Sequence, residues 1–201
     1  MMQQGDALDR FARWVVATAA GGVDEKKSLM LAAKTYILLV AIGVASLLAY
    51  LAESGEGGLL GAVLTAASAL VGAVNISAFR VAYLYLSEKS PRFSSPARWA
   101  KIALALYPLA LLVGAASALG ELYALFLLPA AAVVLIIALV AYIYVYIVGF
   151  FALHHHYGAP NFQTAAVLNI LFFLVIPALA APIFFYKGAV EATQKAEATV
   201  Q

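Results

Sequence analysis

Long stretches free of charged side chains alternate along this chain with short polar joints. No charge occurs over 35–52; Lys34 lies one turn inside the start, where its stem can snorkel, and Glu53 closes the run. A helix is expected at about 29–52. A Glu-Ser-Gly-Glu-Gly-Gly joint at 53–58 precedes a second charge-free run whose helical pattern passes Arg80, giving a helix at about 57–87. Pro91 and Pro96 then break the helix, because each removes a donor and crowds the preceding turn. A third helix follows at about 100–119, and Gly120-Glu121 turns the chain. The 65 residues 122–186 contain no Asp, Glu, Lys or Arg. That is too long for one crossing, and the His154-His155-His156-Tyr157-Gly158-Ala159-Pro160 segment is the break, so helices are expected at about 122–154 and 162–186. The first of these, about 32 residues rising ~1.5 Å each, outruns a bilayer and is expected to project into water. Tyr142, Tyr144, Tyr146 and Tyr157 toward its end suit a headgroup layer.

Before the first run, Leu8, Phe11, Ala12, Val15 and Ala19 recur at helical spacing, with Asp6, Asp9, Arg10 and Arg13 on other faces and Gly21-Gly22 as the stop. Residues 1–28 therefore read as a cytoplasmic amphipathic segment, either on the membrane surface or packed on the bundle's loops. Its acids and lack of an apolar core exclude a cleavable signal peptide. Residues 29–187 form a five-helix membrane domain, and 188–201 a polar extracytoplasmic tail. The fold class is all-α: a polytopic transmembrane bundle of five helices plus an interfacial N-terminal helix.

Composition agrees with that pattern. Of 201 residues 65% are hydrophobic and 11% charged, against about a quarter charged in soluble domains; mean hydropathy is +0.96. A net charge of +2 from twelve bases and ten acids excludes a strongly basic nucleic-acid binder, and the absence of cysteine excludes disulfides and thiolate metal sites. With the N-terminus inside, Arg10, Arg13, Lys26, Lys27, Lys34, Arg80, Lys89, Arg92, Arg98 and Lys101 are cytoplasmic and only Lys187 and Lys195 lie opposite. This bias sets a multi-pass protein of the cell membrane, N-terminus cytoplasmic and C-terminus extracytoplasmic.

A shift of 69 residues places Pro91-Arg92-Phe93 on Pro160-Asn161-Phe162 and Pro108 on Pro177. Two helical hairpins entering the membrane in the same sense, a parallel repeat, are expected. Pro108 and Pro177 lie within helices on this reading and are hinge candidates.

Gly57, Gly61, Thr65, Ser68, Gly72 and Asn75 follow one another at spacings of three and four, one continuous small or polar stripe. Such a stripe permits close helix approach and offers hydrogen bonds, within the chain or to a second copy; the sharper alternative is the lining of a polar pathway. Asn75 and Asn169 are expected to hydrogen-bond across helices. His154, His155 and His156 invite a metal, but consecutive helical residues point about 100° apart and no carboxylate or thiol stands near them in sequence, so no metal site is expected. No Asp or Glu lies within a span for a proton relay, no histidine pair sits at mid-depth for haem, and no nucleophile–base set or GxxxxGK[ST] loop occurs. No catalytic residue and no cofactor are expected.

At the turns Tyr83-Leu-Tyr-Leu-Ser-Glu-Lys-Ser-Pro-Arg-Phe93 and Gly149-Phe-Phe-Ala-Leu-His-His-His-Tyr-Gly-Ala-Pro160, the chain resembles archaeal multi-spanning membrane protein families of unknown function, over the second to fifth helices. The three histidines depart from the charged turn usual there, and the resemblance implies no activity. The expected role is a non-enzymatic structural or partner-binding subunit, its partners the bilayer and itself or other membrane proteins. The alternative is a channel or carrier for a small polar or neutral solute, lined by Thr65, Ser68, Asn75 and Asn169.

Overall fold

A computed structural model describes residues 6–52, 59–117, 121–171 and 175–198; among them there is helix and no strand. The first helix, α1 (Ala7–Ala20), is capped by Asp6, whose carboxylate accepts from Asp9 N at 3.3 Å, and ends at Gly21 in the left-handed conformation (φ 66°). Asp24 then accepts from Lys27 N at 2.7 Å and opens α2 (Glu25–Ala52). α3 (Leu59–Lys89) runs back, as the charge-free run predicts to within a few residues. Pro91 starts a single 3₁₀ turn, Pro91–Phe93, that leads into α4 (Ser94–Ser117), and α5 (Glu121–Tyr142) returns. α5 continues through a π-helical stretch, Ile143–Val148, into α6 (Gly149–Tyr157). Gly158, at φ 61°, stops it by donating to His154 O at 2.8 Å.

Beyond that turn the expected arrangement changes. The single helix at 162–186 is two helices, α7 (Pro160–Ile170) and α8 (Val175–Ala198), and they are antiparallel. Asn161 at the start of α7 bonds Glu191 near the end of α8, the rings of Phe162 and Phe185 stand 5.4 Å apart, and Lys195 Nζ donates to Gly158 O at 3.0 Å. Lys195 thus caps the carbonyl end of α6, at the same end of the bundle as Lys89 and Glu25, which pair at 2.6 Å. Pro177 lies in the first turn of α8, where a proline is tolerated; within a continuous helix it would lack a donor and crowd the preceding turn. It is therefore no mid-helix hinge; the prolines inside helices are Pro108, Pro129 and Pro182.

Among the described residues the parallel repeat of two hairpins is not seen, and the two turns related by the 69-residue offset share only their prolines and a buried ring. Pro91 and Pro160 each open a helical segment, and Phe93 and Phe162 are each wholly buried beneath it. Past that point α4 runs 24 residues whereas α7 stops after 11, so the likeness covers the turns and not the helices that follow.

Burial divides the bundle across its axis. Near the Lys89 end, Phe79, Tyr83, Leu86, Phe93, Phe150, Leu153, Phe162 and Phe185 form the core, each with no exposed surface. Tyr36, Phe79, Tyr146, Phe150 and Phe185 close that core as an aromatic layer; Phe150 and Phe185 stack at 4.1 Å and Phe79 stands edge-on to Tyr146 at 5.1 Å. Beyond this layer the large apolar side chains face outward: Leu48, Leu51, Val63, Leu70, Leu135 and Ile136 are each more than half exposed. Three helical stretches, Glu25–Ala49, Val63–Lys89 and Ala131–Tyr157, are long and apolar enough to cross a membrane. All twelve lysines and arginines lie at or below the layer, with Lys34, Arg80 and Lys187 one or two residues from Tyr36, Phe79 and Phe185.

α1 packs on α3 and α4 just below that level. Its Ala12 and Val16 are buried, and Asp9 Oδ1 accepts from Arg80 Nε and Nη2, both at 2.8 Å, while Arg80 Nη1 donates to Ala97 O at 2.7 Å. Both ion-pair partners are nearly out of water. Lys101 adds an ion pair to Asp6, which holds that carboxyl below the ordinary aspartate range. Phe11 and Trp14, 42% and 64% exposed, stay on the free face of α1. Of the two sequence alternatives for this helix the structure shows the packed one, with an aromatic face left open.

Candidate functional site

The stripe on α3 runs from exposed at Thr65 to buried at Gly72 and Asn75. Gly57 lies outside the described residues and Gly61 falls in the first turns of α3. Thr65, Ser68 and Gly72 face a cavity of about 410 Å³ shared with Leu39 of α2, Ala69 and Ile76 of α3, Tyr107 of α4 and Tyr146 of the π stretch. Gly72 has a reason to be glycine: a Cβ there would stand 3.0 Å from Tyr107 Cζ and closer still to its hydroxyl. That hydroxyl donates to Ala69 O at 2.7 Å.

Asn75, one turn further along α3, is wholly buried. Its amide nitrogen donates to Ala32 O and Thr35 Oγ1, each at 2.9 Å, and its oxygen accepts from Tyr146 OH at 2.6 Å. Asn169, 1% exposed at the end of α7, forms the adjoining half of this polar layer: its side-chain oxygen accepts from Tyr36 OH at 2.6 Å and Tyr142 OH at 2.8 Å. The two asparagines therefore bond across helices as their sequence positions suggest, tying α2, α3, α5, the π stretch and α7 at one level. Buried amides without such partners would cost several kcal/mol, of order 2–7.

A second cavity of about 270 Å³ lies between α4 and α5. Ala103, Leu106, Val134, Ala138, Ala141 and Val145 wall it, and it shares Ile76, Tyr107 and Tyr146 with the first; Tyr142 completes it. Ala138 is exposed, so this cavity opens on the outer side of the bundle.

The π stretch sets the tyrosines. Gly149 N donates to Tyr144 O, five residues back, and Tyr83 OH donates to Val145 O at 2.7 Å. Gly149 makes room for Tyr83, since a Cβ would stand 2.6 Å from its Cζ. Tyr142 and Tyr146 consequently point inward, not into a headgroup layer, whereas Tyr144 stacks on Trp99 at 5.4 Å. Sequence reasoning missed Tyr36, Tyr107, Tyr142 and Tyr146 as site residues. The available signal was a Tyr142/Tyr146 pair one turn apart in a chain with two mid-helix asparagines.

The remaining candidates fall elsewhere. His154 Nδ1 lies 3.0 Å from Ala159 O within the α6–α7 turn, His156 stands edge-on to Phe93 at 5.7 Å, and His155 and His156 are exposed. Among the described residues no group of three or more His, Asp or Glu side chains is placed to hold a metal. Pro108 is exposed within α4, next to Tyr107. No protein-family model, curated protein or solved structure matches this chain.

Proposed function

We propose that the chain is a multi-pass membrane protein acting, without enzymatic chemistry, as a carrier for a small uncharged solute, closed in this conformation. Membrane placement is supported by the outward apolar side chains beyond the aromatic layer and by the position of every base on the other side of it. The bilayer then lies between that layer and the far ends of α2 to α5, which cross it; from Tyr36 to Ala52 is about 25 Å of helix, close to a hydrocarbon core of about 30 Å. α7 and α8 enter as a hairpin from the basic face. That face is cytoplasmic by the positive-inside bias, which rises from ten against two to twelve against none. Both Asp6 and Ala198 are then on the cytoplasmic side, in place of the extracytoplasmic C-terminus expected from five crossings.

The observation that carries the carrier reading is the hydroxyl-lined cavity of Thr65, Ser68, Tyr107 and Tyr146, whose Tyr146 is tied through Asn75 to Thr35. A role through packing of the α3 stripe on a partner is less supported, because Gly72 and Asn75 are covered from within by Tyr107, Thr35 and Tyr146. In reconstituted vesicles, glycerol uptake measured by light scattering should exceed that of empty vesicles and fall to background with Ser68→Phe. Uptake equal to empty vesicles would overturn the carrier role.

A further inference from the structure

Ile76, Tyr107 and Tyr146 are shared by the two cavities, which differ in kind. The α4–α5 cavity is walled by aliphatic and alanine side chains and opens outward beside Ala138; the other carries the hydroxyls of Thr65 and Ser68. Among the described residues neither has a charged side chain in its wall.

The direction of the tyrosine hydrogen bonds restricts what fits. A phenol has one proton and two lone pairs. Tyr107 donates its proton to Ala69 O and Tyr146 donates its proton to Asn75 Oδ1. What these oxygens have left to offer a ligand is acceptor capacity. A carboxylate or phosphate would meet those oxygens with no cation beside them, and an ammonium would leave water for a wall without a carboxylate; burying a charge so is prohibitive. An alkane would fill the aliphatic part and leave the oxygens unused. A donor without charge, carried on an apolar chain, uses both cavities.

We propose that the two adjacent cavities, with Ile76, Tyr107 and Tyr146 in the wall of both, bind an uncharged amphiphile with a hydroxyl head, a long-chain alcohol in its simplest form, which enters from the bilayer between α4 and α5. Its chain lies along Val134, Ala138 and Ala141, and its hydroxyl donates to the tyrosine oxygens around Tyr107. The inference rests on the membrane placement proposed above and not on the transport step.

The test uses the full chain in phosphatidylcholine nanodiscs with radiolabelled hexadecanol, competed by unlabelled hexadecanol, hexadecanoate or hexadecane. Saturable hexadecanol binding is expected, with both competitors at least about tenfold weaker. Tyr107→Phe should weaken it about fivefold, the scale of one hydrogen bond, and Ala138→Phe should abolish it while the protein still melts cooperatively. If Ala138→Phe does not fold, Val134→Phe on the same wall is read instead. Non-saturable binding, equal competition by hexadecane or hexadecanoate, or full binding in the folded wall variant each overturns the proposal. Glycerol uptake without hexadecanol preference would overturn the amphiphile and keep the carrier; hexadecanol binding without glycerol uptake would do the reverse.

Discussion

Gly72 and Gly149 would each bring an added methyl group against a tyrosine at similar distance, yet alanine should be tolerated at one and not at the other. At 149 the obstacle is Tyr83, which has no exposed surface, stacks between Phe79 at 5.6 Å and Phe93 at 6.0 Å, and is held by its bond to Val145 O. It has nowhere to go. Gly149→Ala must either expand the core, at about 1–3 kcal/mol, or pull the hydroxyl away and leave a buried carbonyl unpaired, at a similar about 1–3 kcal/mol. A cost of about 1–3 kcal/mol follows by either route. At 72 the obstacle is Tyr107, which is half-buried and borders open space on both sides. Its ring can tilt into a cavity, so Gly72→Ala should cost under about 1 kcal/mol, the worth of the Ala69 hydrogen bond. Reversible unfolding by SDS titration in mixed micelles reads both. Tyr83→Phe in the Gly149→Ala background should restore less than half of the loss, since Cζ remains in the way. Equal costs for the two glycines, or a full rescue by Tyr83→Phe, would refute the distinction between a filled and an unfilled neighbour.

Asp9→Ala leaves Arg80 buried beside one remaining partner, Ala97 O, and should cost about 3–5 kcal/mol, seen as proteolytic cutting near Gly21 before the bundle unfolds. Asn169→Leu removes the side-chain oxygen that Tyr36 and Tyr142 share as acceptor and should lower stability by about 1–3 kcal/mol in the same SDS assay; an unchanged midpoint would remove the polar layer as a tie. The Asp6 carboxyl has a lower pKa folded than unfolded, so its contact with Lys101 contributes fully above the ordinary aspartate value of 3.8 and is lost as pH falls through its lowered value. Lys101→Met should therefore flatten the acid end of the stability curve, measured by unfolding between about pH 5 and 2. Because the chain has no cysteine, Lys26→Cys and Lys195→Cys each create a unique label site, and both should react with an impermeant maleimide from the same side; labelling from opposite sides would refute the hairpin placement.

Much of the helical layout is legible in the sequence because charge and proline mark its joints. Asp6 and Gly21 bound α1, Pro91 opens the segment before α4, and Gly158 ends α6. The break before α8 was not legible. Residues 168–176, Leu-Asn-Ile-Leu-Phe-Phe-Leu-Val-Ile, contain no glycine, charge or proline, and a lone asparagine in such a run reads as a helix-pairing residue. Pro177 marked the break, but a proline after an apolar run describes a kinked helix as well as the start of a new one. The inward tyrosines were hidden for a different reason. Tyr146 is oriented by Asn75, seventy-one residues earlier, and no local pattern separates a tyrosine that seeks a headgroup from one that meets an amide across the bundle.

The return of α8 to the Gly158 turn bears on how such a chain is built into a bilayer. With the membrane placed as proposed, neither Lys187 nor Lys195 is ever exported, so the insertion machinery moves no positive charge across the hydrocarbon, where a lysine at mid-depth costs about 2.5–3.5 kcal/mol on translocon scales. α7, at 11 residues, is too short to halt translocation as a span in its own right. It depends for its polar end on Tyr36 and Tyr142, supplied by helices already in place. The hairpin is thus the last part to settle, and assembly ends with a plug entering from the side on which the chain is made.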